Sequence, residues 1–220
     1  MRRLFPAGAL ASLSLVFAAP AAAQVHIDVG GEAGIMRRAL SSQAAGASDA
    51  GFGPMFEIHA HAALLPLVRV GAYLSHDISP ISGFPARQLT SGGLHLRIAS
   101  PWPTGKWHGW LFAGLGYATV YERSYSSSFA NPNTGVTGPV FVDGAAGSFW
   151  EVPLGVAIAY KLAKPLELTA SLGMRLGFDF SGAAYTGASG HTEGLPELQV
   201  GFPGDDTFAA YATLGVNFEL

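Results

Sequence analysis

Apolar and polar residues alternate with period two along most of this chain, in stretches separated by segments rich in glycine, serine and proline. In residues 24–36, Val25, Ile27, Val29, Ala33 and Ile35 share one parity, and His26, Asp28, Gly30, Glu32, Gly34 and Met36 the other. Such alternation predicts a strand with one apolar face. It recurs in residues 54–63, 67–77, 88–100, 108–123, 149–161, 166–180 and 208–220. The stretch 166–180 is the clearest, with Leu168, Ala170, Leu172, Met174, Leu176, Phe178 and Phe180 set against Glu167, Thr169, Ser171, Gly173, Arg175, Gly177 and Asp179. Residues 37–53 and 78–87 read as loops, 64–66, 101–107 and 163–165 as tight turns, and 124–148 and 181–207 as long loops.

The connections therefore run long, tight, medium, tight, long, tight, long. Short turns on one rim and longer loops on the other are the pattern of a membrane barrel. The fold class expected is all-β, an eight-stranded antiparallel up-and-down transmembrane β-barrel. An even strand number puts both ends of the barrel on the short-turn, periplasmic side.

The N-terminus fits that topology. Arg2 and Arg3 form a basic region, residues 9–18 an apolar one, and Ala21, Ala22 and Ala23 a small-residue cleavage site. Residues 1–23 thus read as a secretory signal peptide and 24–220 as the barrel domain. The apolar run is shorter than the ~20 residues of a spanning helix. Composition points the same way: charged residues make up 12% of the chain, about half the ~25% usual in soluble domains. Cysteine is absent, which removes disulfides, zinc–thiolate sites and thiol catalysis. Without the signal peptide ten basic residues face fifteen acidic ones, a balance that argues against nucleic acid as a partner.

Periodicity does not say which face points inward, but the residue types do. A soluble barrel would coat its outside with charge. Here the polar parity is instead glycine-rich with scattered His, Arg and Glu, which suits the interior of an eight-stranded barrel, a space just filled by side chains. The apolar parity then faces lipid. Trp102, Trp107, Trp110, Tyr160 and Phe218 fall towards the short-turn end, and Tyr121, Tyr125, Trp150, Phe178, Phe180 and Phe208 towards the loop end. These are the positions of two aromatic girdles.

The last residues carry a more specific signal. Thr213, Gly215, Phe218 and Leu220 look like the C-terminal targeting signal of bacterial outer-membrane barrels, polar-x-Gly-x-x-aromatic-x-apolar, with Leu in place of the commoner terminal Phe. The A-G-L-G-Y run at residues 113–117 is similar to one frequent in small outer-membrane barrels. The chain as a whole resembles the OmpA/OmpX-type eight-stranded barrels, as a transmembrane barrel with no periplasmic domain after Leu220. That resemblance implies the bacterial outer membrane as location, the barrel-assembly machinery as a partner during insertion, and outer-membrane lipid and lipopolysaccharide as neighbours.

The candidate chemistry lies on the inward parity. Glu32, Glu57, His59, His61, Arg69, His95, Arg97, Glu151, Glu167, Arg175 and Asp179 are expected to form a lumen polar network. Unpaired buried charge costs several kcal/mol, so Arg69, Arg97 and Arg175 read as counter-ions to Glu57, Glu151 and their neighbours. His59, His61 and His95 are the conceivable metal ligands, but an i, i+2 pair is a weak signal and Arg69 repels a cation. No metal and no cofactor is expected.

Small outer-membrane barrels include lipid A acyltransferases and deacylases, which makes Ser75, His76 and Asp77 near the loop rim, and His191 with Glu193, the candidates for catalytic groups. A His-x-Ser-Asn arrangement of the deacylase kind is missing, and the expectation is that the chain is not an enzyme. Loops 124–148 and 181–207 carry no Lys or Arg; the second holds Glu193, Glu197, Asp205 and Asp206. They are the candidate surface for a partner or for cations bridging lipopolysaccharide. The function expected is a structural or surface-interaction role, with a narrow passive, porin-like channel or a lipid A-modifying enzyme as alternatives.

Overall fold

The computed structural model describes residues 26–40, 51–81, 84–101, 105–121, 125–130, 137–142, 146–182, 188–191, 198–200 and 207–220. The signal-peptide segment, Trp102, Glu193, Glu197, Asp205 and Asp206 lie outside them. In chain order the strands are β1 (Ile27–Leu40), β2 (Phe52–Leu65), β3 (Val68–Ile81), β4 (Phe84–Ala99), β5 (Trp107–Tyr121), β6 (Tyr125–Ala130), β7 (Thr137–Val142), β8 (Ala146–Ala163), β9 (Leu166–Gly182), β10 (Ala188–His191), β11 (Leu198–Val200) and β12 (Thr207–Glu219).

Eight of these close a barrel in the order β1-β12-β9-β8-β5-β4-β3-β2, each antiparallel to its neighbours. The predicted up-and-down topology is the one observed. Closure is made by β1 and β12, in register from Asp28 opposite Glu219 to Leu40 opposite Thr207. Closing the sheet leaves no barrel strand with an unpaired edge.

The strands are longer than periodicity suggested, chiefly at the loop end. The first was expected to stop at Met36, yet β1 continues to Leu40 because its alternation carries on through Arg37, exposed, and Arg38, buried. Residues 78–87, expected to be a loop, are mostly strand: β3 runs to Ile81, β4 begins at Phe84, and Ser79 and Arg87 are buried inside. Parity there was masked by proline and serine, which read as turn formers when the partner strand is not known. The two long loops also contain structure. Strands β6, β7, β10 and β11 pair as a separate four-stranded sheet in the order β11-β10-β7-β6.

Within the barrel, side chains sort by parity as expected. Residues such as Leu94, Leu111, Leu172 and Leu214 are exposed on the outside, and Leu172 retains 62% of its accessible surface. Charged and polar residues are buried inside, Glu151 completely and Arg175 to 1%. A water-soluble fold places these groups the other way round. Glycine makes the interior habitable for rings. A β-carbon at Gly173 would overlap the Tyr211 ring, and one at Gly155 the Phe112 ring. Each aromatic thus lies over the glycine opposite it on the neighbouring strand.

Two aromatic positions depart from the girdle reading. Trp110 shares the inward parity of Phe112 and is buried in the lumen; its depth suggested the girdle, but its parity decides. Phe180 turns in to pack on Phe149, with ring centroids 5.0 Å apart. The cause is a bulge in β9: Trp150 faces Phe178 and Ser148 faces Ser181, so Asp179 and Phe180 together oppose Phe149. Asp179 has φ of 55° and is exposed, not in the lumen as the alternation predicted. Asp is among the few non-glycine residues that enter this backbone region readily.

Candidate functional site

The lumen carries the site, and its polar groups lie in three layers. At the short-turn end, Asp28 on β1 is the centre: Arg69 on β3 bonds it directly, His61 Nδ1 lies 3.2 Å away and Arg97 Nη1 3.7 Å away. Arg69 also reaches Glu219 at 3.5 Å. Across the mouth, Glu167 is 3.3 Å from His108 and 3.7 Å from Lys161. Arg69 and Arg97 therefore serve Asp28, where Glu57, Glu151 and their neighbours had been expected. Asp28 sits on the inward parity of β1, opposite His61 on β2.

Just above, the imidazoles form a stack. His95 packs on Tyr73 at 4.2 Å and 17°, and on His61 at 5.8 Å and 12°. Gly71 on β3 stands opposite both His61 and His95 in register. A β-carbon there would press into His61, so its absence lets the two rings face each other. His59 instead turns towards β12, with Nε2 2.8 Å from Asn217 Oδ1. Among the described residues no set of His, Asp or Glu side chains gathers around a point that a metal ion would occupy.

The middle layer is organised by Arg175. Its guanidinium donates to Glu57 at 2.8 Å, to Ser91 Oγ at 2.7 Å and to Glu151, and it lies between the rings of Tyr73 and Tyr211 at 5.2 and 5.5 Å. Tyr73 adds a hydroxyl to Glu151 at 3.0 Å. Glu32 accepts from Ser171 Oγ and Thr213 Oγ1. Arg175 is thus paired with two carboxylates, while Glu32 is held by two hydroxyls; ions in an interior need such partners.

The third layer was missed at the sequence level. Arg38 donates through Nε and Nη2 to both oxygens of Asp77, at 3.1 and 2.7 Å, and Ser79 adds a bond to the same carboxylate. This is a bidentate, charge-assisted pair. Continuing the even parity of β1 by one more residue would have found Arg38. Leu89, Ala118, Val120, Phe149 and Phe180 form an apolar cluster near this end.

The geometry of the whole matches known structures. Neisserial surface protein A aligns with a TM-score of 0.52 over 88% of this chain and 97% of its own, at 14% identity. A major outer membrane protein from Thermus thermophilus aligns with a TM-score of 0.50 over 88% of this chain and 99% of its own, at 15% identity. The fold is that of the OmpA/OmpX-type eight-stranded outer-membrane barrels. No protein-family model and no curated protein sequence matches the chain.

Within this OmpA/OmpX-type barrel the other candidate residues separate. Ser75 and Asp77 point into the lumen, Ser75 bonded to Ser91 at 2.8 Å, whereas His76 points out and bonds Thr90 at 2.9 Å. Neighbours in a strand alternate faces, so Ser75, His76 and Asp77 do not form one site. His191 is in β10. Of the four C-terminal signal residues, Thr213 and Gly215 face the lumen, where a β-carbon on Gly215 would collide with Glu32, and Phe218 and Leu220 are exposed outside.

Proposed function

We propose that this chain is an integral outer-membrane β-barrel whose closed, ion-paired lumen makes it a rigid platform for the sheet formed by β6, β7, β10 and β11. Its role on this reading is structural or surface-interacting. The observation that carries it is the inverted polarity of the wall: the outward parity is apolar around the barrel, while the inward one buries Arg38, Arg97, Arg175, Glu57 and Glu151 among their partners. A transmembrane β-barrel is the setting in which that inversion is stable. Secretion through a signal peptide removed after Ala23, and insertion by the barrel-assembly machinery, follow from the same reading. So does contact of loops 124–148 and 181–207 with a partner at the cell surface.

A narrow channel and a lipid A-modifying enzyme are the competing functions. Eight strands leave an interior about filled by side chains, and this one holds Tyr73, Trp110, Phe112 and Tyr211 besides its ions. The expected result is faster gel migration of the unboiled than of the boiled protein, with little or no steady conductance in planar bilayers. Large ohmic conductance would install the channel reading; a change in lipid A mass on incubation with the purified barrel would install the enzyme.

A further inference from the structure

The lipid-facing wall of β3, β4 and β5 carries a polar row at one height. Going towards the loop end, the outward positions of β3 are Val68, Val70, Ala72 and Leu74, and then His76, with Ile78 above it. Those of β4 are Ile98, Leu96, Leu94 and Gly92, and then Thr90 and Gln88. Those of β5 are Leu111, Ala113, Leu115 and Tyr117, and then Thr119 and Tyr121. Register places His76 beside Thr90 and Thr90 beside Thr119, with Leu74, Gly92 and Tyr117 in the row beneath.

These polar groups touch. His76 Nδ1 is 2.9 Å from Thr90 Oγ1, which is 3.5 Å from the Tyr121 hydroxyl; Thr119 Oγ1 donates to the Thr90 carbonyl at 3.3 Å. The line continues on β8, where the Tyr117 hydroxyl donates to Ser148 Oγ at 2.6 Å. An ionisable side chain on a lipid-facing position is costly and calls for a partner. Thr90 occupies Nδ1; among the described residues His76 Nε2 has none.

We propose that His76, Thr90 and Tyr121 bind the headgroup of a phosphorylated glycolipid of the outer leaflet. The inference rests on the membrane-barrel reading above and adds a ligand to its outer surface. Three features select this occupant. The cluster lies at the loop end, where outer-leaflet headgroups meet the wall of a barrel so oriented. Its groups are an imidazole, an aliphatic hydroxyl and a phenol, suited to sugar hydroxyls and phosphate oxygens. The described outward positions of these strands include no Asp or Glu to repel a phosphate. Directly beneath, Gly92 puts no side chain between Leu74 and Tyr117, and Leu74 Cδ1 lies 3.5 Å from where its β-carbon would be. An acyl chain descending from a headgroup at Thr90 meets this apolar row.

The test is binding to the full barrel in detergent, read by native mass spectrometry, with lipopolysaccharide and phosphatidylglycerol titrated separately. The wild type should bind lipopolysaccharide about tenfold more tightly than the combined His76→Leu and Thr90→Val variant, the change expected for one or two lost hydrogen bonds. Phosphatidylglycerol should bind both proteins alike and weakly. Equal lipopolysaccharide binding by wild type and variant overturns the proposal, and so does wild-type affinity for phosphatidylglycerol as high as for lipopolysaccharide. Heat-modifiable migration reports folding of each protein; should the combined variant fail to fold, Tyr121→Phe and Thr90→Ala carry the comparison under the same criteria. Absence of that migration in the wild type would sink the membrane-barrel reading itself, and this inference with it.

Discussion

Arg175 on β9 and Glu57 on β2 meet across the lumen at 2.8 Å, although β12 and β1 separate their strands around the wall. The same guanidinium holds Glu151 on β8 and Ser91 on β4. One side chain thus joins four strands through the interior. Arg175→Met leaves two buried carboxylates without their cation and should destabilise the barrel by about 3–5 kcal/mol. Replacing Glu57 and Glu151 by Gln and Leu in the same protein should recover most of that loss. Urea unfolding in detergent micelles, followed by tryptophan fluorescence, measures both.

Orientation of the wall is tested at adjacent residues. Leu172 is exposed at mid-strand and Ser171 is buried, bonded to Glu32 at 3.1 Å. Leu172→Arg should cost about 2–4 kcal/mol as a lipid-facing charge near the midplane, whereas Ser171→Ala should cost about 1 kcal/mol, one hydrogen bond. Spin labels at the two positions should respond oppositely to a membrane-partitioning relaxant, with 172 accessible and 171 protected.

The bulge at Asp179 gives a backbone test. Its positive φ penalises a side chain with no local hydrogen bond to offer, so Asp179→Ala should destabilise by about 1 kcal/mol and Asp179→Gly by less or not at all. The temperature at which the heat-modified form appears ranks the three proteins. A greater loss for Gly than for Ala would count against a backbone cause.

Removal of residues 218–220 deletes Phe218, which faces both Val29 and Leu166, and the backbone bonds from Glu219 to Pro165 and from Leu220 to Ile27. The truncated chain should be depleted from the outer-membrane fraction of an expressing Gram-negative cell, as judged by fractionation and immunoblot. Normal levels there would detach Phe218 and Leu220 from any insertion role.

Strand identity and the inside-outside assignment were legible because parity is a local property: Leu168 to Phe178 needs no partner to reveal its two faces. What was not legible depends on partners. Arg69 and Arg97 were matched to Glu57 and Glu151 by charge alone, but register brings them to Asp28, and register is set by hydrogen bonding across strands. Arg38 was lost because the small, polar residues that follow look like a loop. Asp179 and Phe180 were misassigned because a bulge inserts one residue and exchanges the faces beyond it. The outward His76–Thr90 pair escaped notice for a related reason: His76 was read with its chain neighbours Ser75 and Asp77, whereas its partner Thr90 is set by register.

Pairing of β1 with β12 sets an order on biogenesis. The two strands come from opposite ends of the described chain, so the contact that shuts the cylinder is also among those of greatest sequence separation, the slowest kind to form. Until the last strand arrives, β1 presents a free row of amides and carbonyls with Asp28, Glu32 and Arg38 on one face and mostly aliphatic side chains on the other. Such an edge invites pairing with the wrong strand. Only when β12 docks are the open edge of β1 and its exposed ionic face covered, both in the same step.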